Sequence, residues 1–342
     1  VWAVLITTLS YLPGLLTLHY SLQIKHRSKH PLVALYTPST FPESGLAPLR
    51  ARGIPYQAVT PLQPVIGSGG GVDPRFALNW TKLVVFSLTQ YSRLAHLDAD
   101  MLVLGNMDEL LDNDALLLHR GGEKGGEGKG DEDEDEIALA AAHACTCNPR
   151  GFAHYPRDWT RETCAYTRLE KELQQLLDDG QAESSSTNLE REGELNGGLL
   201  VLRPSERTWS AICTYLTNTS TSASTSTSPN QTTTTKISSK LPFADQSLLS
   251  DLFRGRWRVL PWVYNALKTM RWPGVHDRLW RGENDGKVKC VHYILTPKPW
   301  QEENHDDVGD SRKRETTHQW WMDVDLERRR WERENGVPSD GW

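Results

Sequence analysis

The sequence predicts an α/β protein built on a mostly parallel sheet, and three observations predict it. Short apolar runs without polar alternation recur at 1–7, 32–36, 93–97 and 137–142 and again after Gly198, as strands buried on both faces require. Segments with helical spacing separate the first of these, so the chain opens strand, helix, strand, helix, strand. One run ends on Asp98-Ala99-Asp100, and the carboxyl end of a strand is where open α/β sheets bind ligands.

In order, Val1–Thr7 reads as a buried strand, and Leu15, Leu18, Tyr20 and Leu22 mark a helix. Leu32–Tyr36 is the second strand, Glu43–Arg52 a short helix and Ile54–Val59 the third strand. No G-x-G-x-x-G follows the first strand, which argues against a dinucleotide. A Gly- and Pro-rich connection, Pro61–Pro74, leads to a helix over Trp80–Gln90, with Lys82 in its first turn. Arg93–Leu97 is a strand and Asn106–Leu111 a helix start. Residues 119–136 contain almost only Gly, Lys and acid beyond their ends and cannot bury apolar area, so they read as a disordered insertion. Ile137–Ala142 resumes as a strand and Leu169–Leu177 as a helix. Asn196-Gly197-Gly198 reads as glycines placed before a buried strand, where a ligand can approach the backbone closely. A helix over Glu206–Leu216 runs into a Ser/Thr-rich insertion, 217–240. Asp245 sits where a helix cap belongs. Arg256–Leu260 and Val288–Leu295 are strands, the latter carrying His292, and Lys298-Pro299-Trp300 follows. The charged, Trp-studded tail of 301–342 reads as a helix over about Trp320–Arg333.

Composition narrows the function. The 342 residues suffice for one large domain with a well-buried core or two smaller ones. A net charge of −6 gives no reason to expect nucleic-acid binding. The apolar start, Val1–Leu22, is interrupted by Thr7, Thr8, Ser10, Pro13, Gly14 and His19, so stable membrane insertion is not expected. Five cysteines without framework spacing read as thiols in a reducing compartment, and the cytoplasm is expected; the chain starts at Val, so an upstream anchor with a Golgi location is the alternative. Cys145 and Cys147, two apart, lack zinc-finger spacing and read as buried or loop thiols.

Asp98 and Asp100 are the sharpest chemical signal. Residues two apart on an extended chain point the same way, and two hard oxygen donors suit Mg²⁺ or Mn²⁺ with positions left for phosphate oxygens. A solvated loop tripeptide is the bland alternative.

Five motifs in order carry a resemblance. They are Asn79-Trp80-Thr81-Lys82-Leu83, Arg93–Gly105 with its Asp-x-Asp, Leu195–Pro204, Ala244-Asp245-Gln246, and Val291-His292-Tyr293 with Lys298-Pro299-Trp300. Together they resemble glycosyltransferase family 8, its glycogenin-like and galactinol-synthase-like members, over about residues 3–300. The resemblance implies a GT-A fold, a single mixed, mostly parallel sheet flanked by helices, with a transferase domain over 1–300 and the tail over 301–342 outside it. It implies a UDP-sugar donor, Mn²⁺ or Mg²⁺, and retention at the anomeric carbon. By position, Asp98, Asp100 and His292 would be metal ligands. Lys298 would contact the diphosphate, and Lys82 the phosphate or sugar. Tyr11 would stack on uracil beside Thr7 and Thr8. Asn196, Gly197, Asp245 and Gln246 would hold the donor sugar, Asp245 steadying the reacting centre or forming a covalent intermediate.

Two departures stand out. Leu9-Ser10 replaces the family's frequent Asn-Asp after the first strand, and Ala266–Trp272 lacks the tyrosine that glycogenin glucosylates on itself. The segment from Cys145 to Tyr166 looks closer to fungal and galactinol-synthase-like members. An external acceptor (sugar, polyol or protein) is therefore expected, with a fungal source and a homodimer as further expectations. A catalytically weak UDP-sugar-binding protein and a glycogenin-like self-glucosylating initiator remain the alternatives.

Overall fold

The computed structural model describes residues 1–62, 79–118, 137–178, 193–221, 241, 243–302 and 315–342. The predicted insertion at 119–136 lies outside the described residues, as does most of the one at 217–240. Two compact units emerge: Val1–Val59 with His96–Asp112 and Pro261–Trp342, and Thr60–Ala95 with Asn113–Leu260.

In the first unit, β1 (Trp2–Ile6), β2 (Leu32–Tyr36) and β3 (Tyr56–Ala58) pair in parallel, with Trp2 opposite Leu32 and Ala34 opposite Tyr56. Trp2, Ala3, Val4 and Ile6 are buried, as the unbroken apolar run requires. Helix α1 (Leu12–His19) starts with Pro13 in its first turn, where a missing N–H costs nothing, and runs on into a wider turn over Tyr20–Lys25. Helix α2 (Glu43–Ala51) follows β2. The chain enters this unit within β4 (Leu94–Leu97) and continues into β5 (Met101–Val103) and α3 (Glu109–Asp112).

The second unit holds the 3-10 helix Asn79–Ser87, β6 (Leu139–His143), α4 (Ala165–Asp178), β7 (Leu195–Leu202), α5 (Glu206–Thr221), α6 (Asp245–Leu252) and β8 (Trp257–Val259). Strand β6 runs antiparallel to β7, with Leu139 opposite Leu202, and parallel to β8. Strand pairing is thus mixed and mostly parallel. Three sequence expectations shift here. The segment after Asn79 is a 3-10 helix, and the predicted Trp80–Gln90 helix stops at Ser87. Gly197 and Gly198 lie inside β7, which begins at Leu195, so they do not precede a strand. The residue capping α6 is Ala244, and Asp245 is the first residue of the helix.

The rest of the first unit is β9 (Ala266–Leu267), β10 (Cys290–His292) and α7 (Thr316–Glu334). The three short strands order as β5-β10-β9. Helix α7 is longer than the tail helix expected from sequence, and it is anchored by buried polar pairs. Thr17 Oγ1 donates to Asp325 Oδ1 at 2.7 Å. Arg52 grips Glu332 through Nε and Nη2 at 2.8 and 2.9 Å. Arg328, 1 % exposed, donates to Asp325, Glu332 and the Trp342 carbonyl at 2.7–2.8 Å. Buried charges persist only when paired in this way.

Candidate active site

In the first unit, strand register assembles three of the predicted residues. Asp98 and Asp100 flank Ala99 in the turn between β4 and β5. Strand β10 pairs antiparallel with β5, placing His292 opposite Met101, and the Tyr293 amide donates to the Asp100 carbonyl at 2.9 Å. The His292 Nε2 atom therefore lies 3.4 Å from Asp100 Oδ1 and 3.6 Å from Asp98 Oδ2. On the other side of the ring, His292 Nδ1 is 3.0 Å from the Asn265 side-chain oxygen. With Nδ1–H donating there, the Nε2 lone pair is turned toward the carboxylates.

The donor set fits a divalent cation. Ligand atoms of Asp98, Asp100 and His292 all lie within 4.8 Å of one another. Neighbouring ligands of an octahedral ion sit about 3 Å apart, within a few tenths of an ångström of the two His292–carboxylate distances.

Lys298 completes this cluster. Its Nζ donates to Asp100 Oδ2 at 2.5 Å and to the Tyr293 carbonyl at 2.7 Å, and lies 5.8 Å from the Tyr11 ring centroid. Burial alone would raise the Asp100 carboxyl, but the Lys298 charge beside it, with His292, outweighs burial and holds the group well below the usual carboxylate range. Burial likewise works against the Lys298 charge, and Asp100 beside it more than compensates, so its pKa rises. Lys298 takes one Asp100 oxygen and the other faces His292.

Close packing explains how the Lys298 segment is held. Trp300 Nε1 donates to the Ser10 carbonyl at 2.8 Å, and its ring meets Tyr11 edge-on at 5.8 Å. A Cβ on Gly14 would lie 2.3 Å from the Ala99 carbonyl and 2.7 Å from Trp300, so only glycine lets α1 approach the Asp98–Asp100 turn. Thr7 and Thr8 follow β1, half-buried, and the Thr8 hydroxyl is 2.9 Å from that of Ser10.

The second unit holds the remaining predicted residues. Lys82 Nζ lies 3.7 Å from Asp245 Oδ2, and both side chains are largely buried. Asn196 donates from Nδ2 to Gln246 Oε1 at 3.4 Å, while its own oxygen accepts the Gly198 amide at 3.0 Å. A Cβ on Gly197 would stand 2.9 Å from Asp245 Oδ2. The predicted close approach at this glycine is thus made by the carboxylate itself. Ala244 precedes Asp245 at φ 48° and ψ −116°, a region sparsely populated by side-chain-bearing residues.

Two residues that sequence reasoning passed over belong here. Asn265 orients His292, a partner 27 residues away that no local pattern reveals. Glu194 is hydrogen-bonded by Gln246, and burial, then Asp158, push its carboxyl up. Its position two residues before Asn196 gave no signal.

Comparison with known proteins follows this geometry. No protein-family model matches the chain. It is 25% identical over 322 residues to galactinol synthase 4 of Arabidopsis thaliana, covering 91% of this chain and 76% of that protein. It is 23% identical to galactinol synthase 1 of Ajuga reptans, covering 85% and 70%. It is a homologue of family 8 glycosyltransferases.

Solved structures agree on the fold of this family 8 homologue. A galactosyltransferase, LgtC, crystallised with donor and acceptor sugar analogues, matches at a TM-score of 0.54 and 15% identity, covering 96% of both chains. The glycosyltransferase GlyE of Streptococcus pneumoniae TIGR4 matches at 0.51 and 16% identity, covering all of this chain and 65% of that one. The fold is GT-A, as expected, and the Asp98–Asp100 pair fits the Asp-x-Asp site of such a family. Nothing in these likenesses supports the expected fungal source. Among the described residues no helix is long and apolar enough to cross a membrane.

Proposed function

We infer that this retaining UDP-sugar hexosyltransferase holds Mn²⁺ or Mg²⁺ through Asp98, Asp100 and His292, and transfers the sugar to an external hydroxyl. The observation that carries the assignment is the β5–β10 register, which turns His292 Nε2 toward both carboxylates while Asn265 holds the far side of the ring. When bound, the metal supplies Lewis-acid neutralisation of the diphosphate.

The remaining roles fall to the chain. The bond from the anomeric carbon to the phosphate oxygen breaks, and its electron pair leaves with UDP. Lys298 has three N–H donors, of which Asp100 and the Tyr293 carbonyl take two; the third meets the developing negative charge. Tyr11, with Thr7 and Thr8, receives the uracil end of the donor. Asn196, Gly197 and Gln246 orient the sugar, and Asp245 steadies the electron-poor anomeric centre. Lys82, 3.7 Å from Asp245, offers a contact for phosphate or sugar. The acceptor oxygen bonds to the anomeric carbon on the face from which UDP departs, and its proton passes to the leaving phosphate.

The transferase domain on this reading spans residues 1–300, with 301–342 as its buttress. The names of the curated relatives favour galactose as the sugar and a polyol as the acceptor. The deciding experiment measures UDP release from UDP-galactose, UDP-glucose and UDP-N-acetylglucosamine, with and without Mn²⁺ and with a panel of polyols. Metal-dependent release from UDP-galactose, stimulated by one polyol, is expected. Release unaffected by chelation overturns the metal assignment. Metal-dependent UDP binding without release under any condition replaces transfer by the weak-binding alternative.

A further inference from the structure

We propose that Cys145, Cys147 and Cys164 form a second metal site in this chain, a thiolate site for zinc. All three residues lie in the second unit. Cys145 and Cys147 follow the end of β6, and Cys164 immediately precedes α4. In sequence they are a pair and a distant single; in space they converge. The Sγ atoms of Cys164 and Cys145 are 4.0 Å apart, and all three sulfurs lie within 4.8 Å of one another. Three thiolates at about 2.3 Å from a tetrahedral zinc stand about 3.8 Å from each other. The observed cluster therefore reaches zinc geometry by contracting less than about 1 Å.

Competing uses of the cysteines fit less well. None of the five is in a disulfide. A disulfide needs sulfurs about 2.05 Å apart, far closer than the 4.0 Å of Cys145 and Cys164, and would leave Cys147 beside it unused. Hydrogen bonds from Cys147 and Cys164, together with burial, raise the Cys145 thiol. Binding would release one proton per coordinating sulfur and make affinity rise with pH. Three soft sulfur donors select zinc over Mn²⁺ or Mg²⁺, whereas the oxygen-rich Asp98, Asp100 and His292 set has the opposite preference.

Further contacts brace the frame that carries the three sulfurs. Tyr166, in the first turn of α4, donates its hydroxyl to the His143 carbonyl at the end of β6 at 2.6 Å. This bond holds the two ends of the 144–164 segment together. Between those ends, Trp159 stacks on Phe243 at 4.5 Å and Tyr155 meets the same ring edge-on at 5.2 Å. Phe243 lies two residues before Asp245. A metal joining Cys145, Cys147 and Cys164 would close the base of this loop and hold its aromatic tip against the residues that open α6.

The test uses the full chain, expressed without a metal-affinity tag. About one zinc per chain should survive dialysis against a weak chelator. Cobalt titration should give a thiolate-to-cobalt charge-transfer band, which the oxygen-rich site cannot produce. Cys145→Ser and Cys164→Ser should each lose the band, and Cys213→Ser and Cys290→Ser should keep it. If the first two variants fail to fold, alkylation mapping of the wild type decides: Cys145, Cys147 and Cys164 should be shielded with zinc and reactive after strong chelation. A wild type without the band, a band that survives both substitutions, zinc-independent alkylation of the three, or a mapped Cys145–Cys164 disulfide would each overturn the site.

Discussion

Each unit buries one lysine beside one carboxylate, and the two pairs are built differently. Lys298 and Asp100 meet at 2.5 Å, and the lysine also donates to the Tyr293 carbonyl. Lys82 and Asp245 stand 3.7 Å apart, beyond direct hydrogen bonding, with Gly197 leaving space at the same carboxylate oxygen. The tight pair fixes one Asp100 oxygen so that the other faces His292. The loose pair sets a lysine near Asp245 without a direct hydrogen bond between them. A ligand-holding carboxylate needs orientation, whereas one that meets charge developing on a sugar needs room to approach it.

The largest effect should come from breaking the tight pair. Asp100→Ala removes a proposed metal ligand and leaves Lys298 buried without its carboxylate, a loss of about 3–5 kcal/mol. Metal-dependent UDP binding should vanish by calorimetry, and the melting temperature should fall even without metal. Unchanged binding would detach Asp100 from the metal. Next comes the loose pair: Asp245→Asn should lower kcat by about 10²–10³-fold while UDP binding stays near wild type. A loss of UDP affinity with kcat intact would reassign Asp245 to donor binding.

Asn265→Ala tests whether orientation of the imidazole matters to the tight cluster. Outer-shell partners of this kind contribute about 10–100-fold in metal affinity, and Mn²⁺ titration should show such a loss with the fold retained. The smallest change is Gly197→Ala. Its Cβ would stand 2.9 Å from Asp245 Oδ2, so the carboxylate must shift. Activity should fall about tenfold with metal affinity unaltered, and wild-type turnover would show that Asp245 does not need this space.

Much of the fold was readable because burial on both faces leaves an unmistakable pattern. Strands β1, β2 and β6 are continuous apolar runs, and the structure places each within a residue or two of its expected bounds. Glycine was less informative. Asn196-Gly197-Gly198 reads as preceding a strand, yet it lies within β7, where Gly197 provides space for a carboxylate. The segment after Asn79 shows the same limit. Its apolar spacing signals a helix, but period alone does not separate 3-10 from α over nine residues. The tail was legible as a helix and its docking was not, since a charged helix reveals nothing about which charges find buried partners such as Thr17 and Arg52.

By itself the sequence determined the alternation of strands and helices, the Asp98–Asp100 pair at a strand end, and the order of motifs that marks the family. These follow from local rules: burial, periodicity and two residues of spacing. Tertiary structure decided which distant groups meet. Lys298 reaches Asp100 across 198 residues, His292 is placed opposite Met101 by strand register, and Cys164 joins Cys145 and Cys147 through the packing of α4 on β6. The physical reason is that register and packing are settled by the whole core at once, and no window of sequence contains both partners.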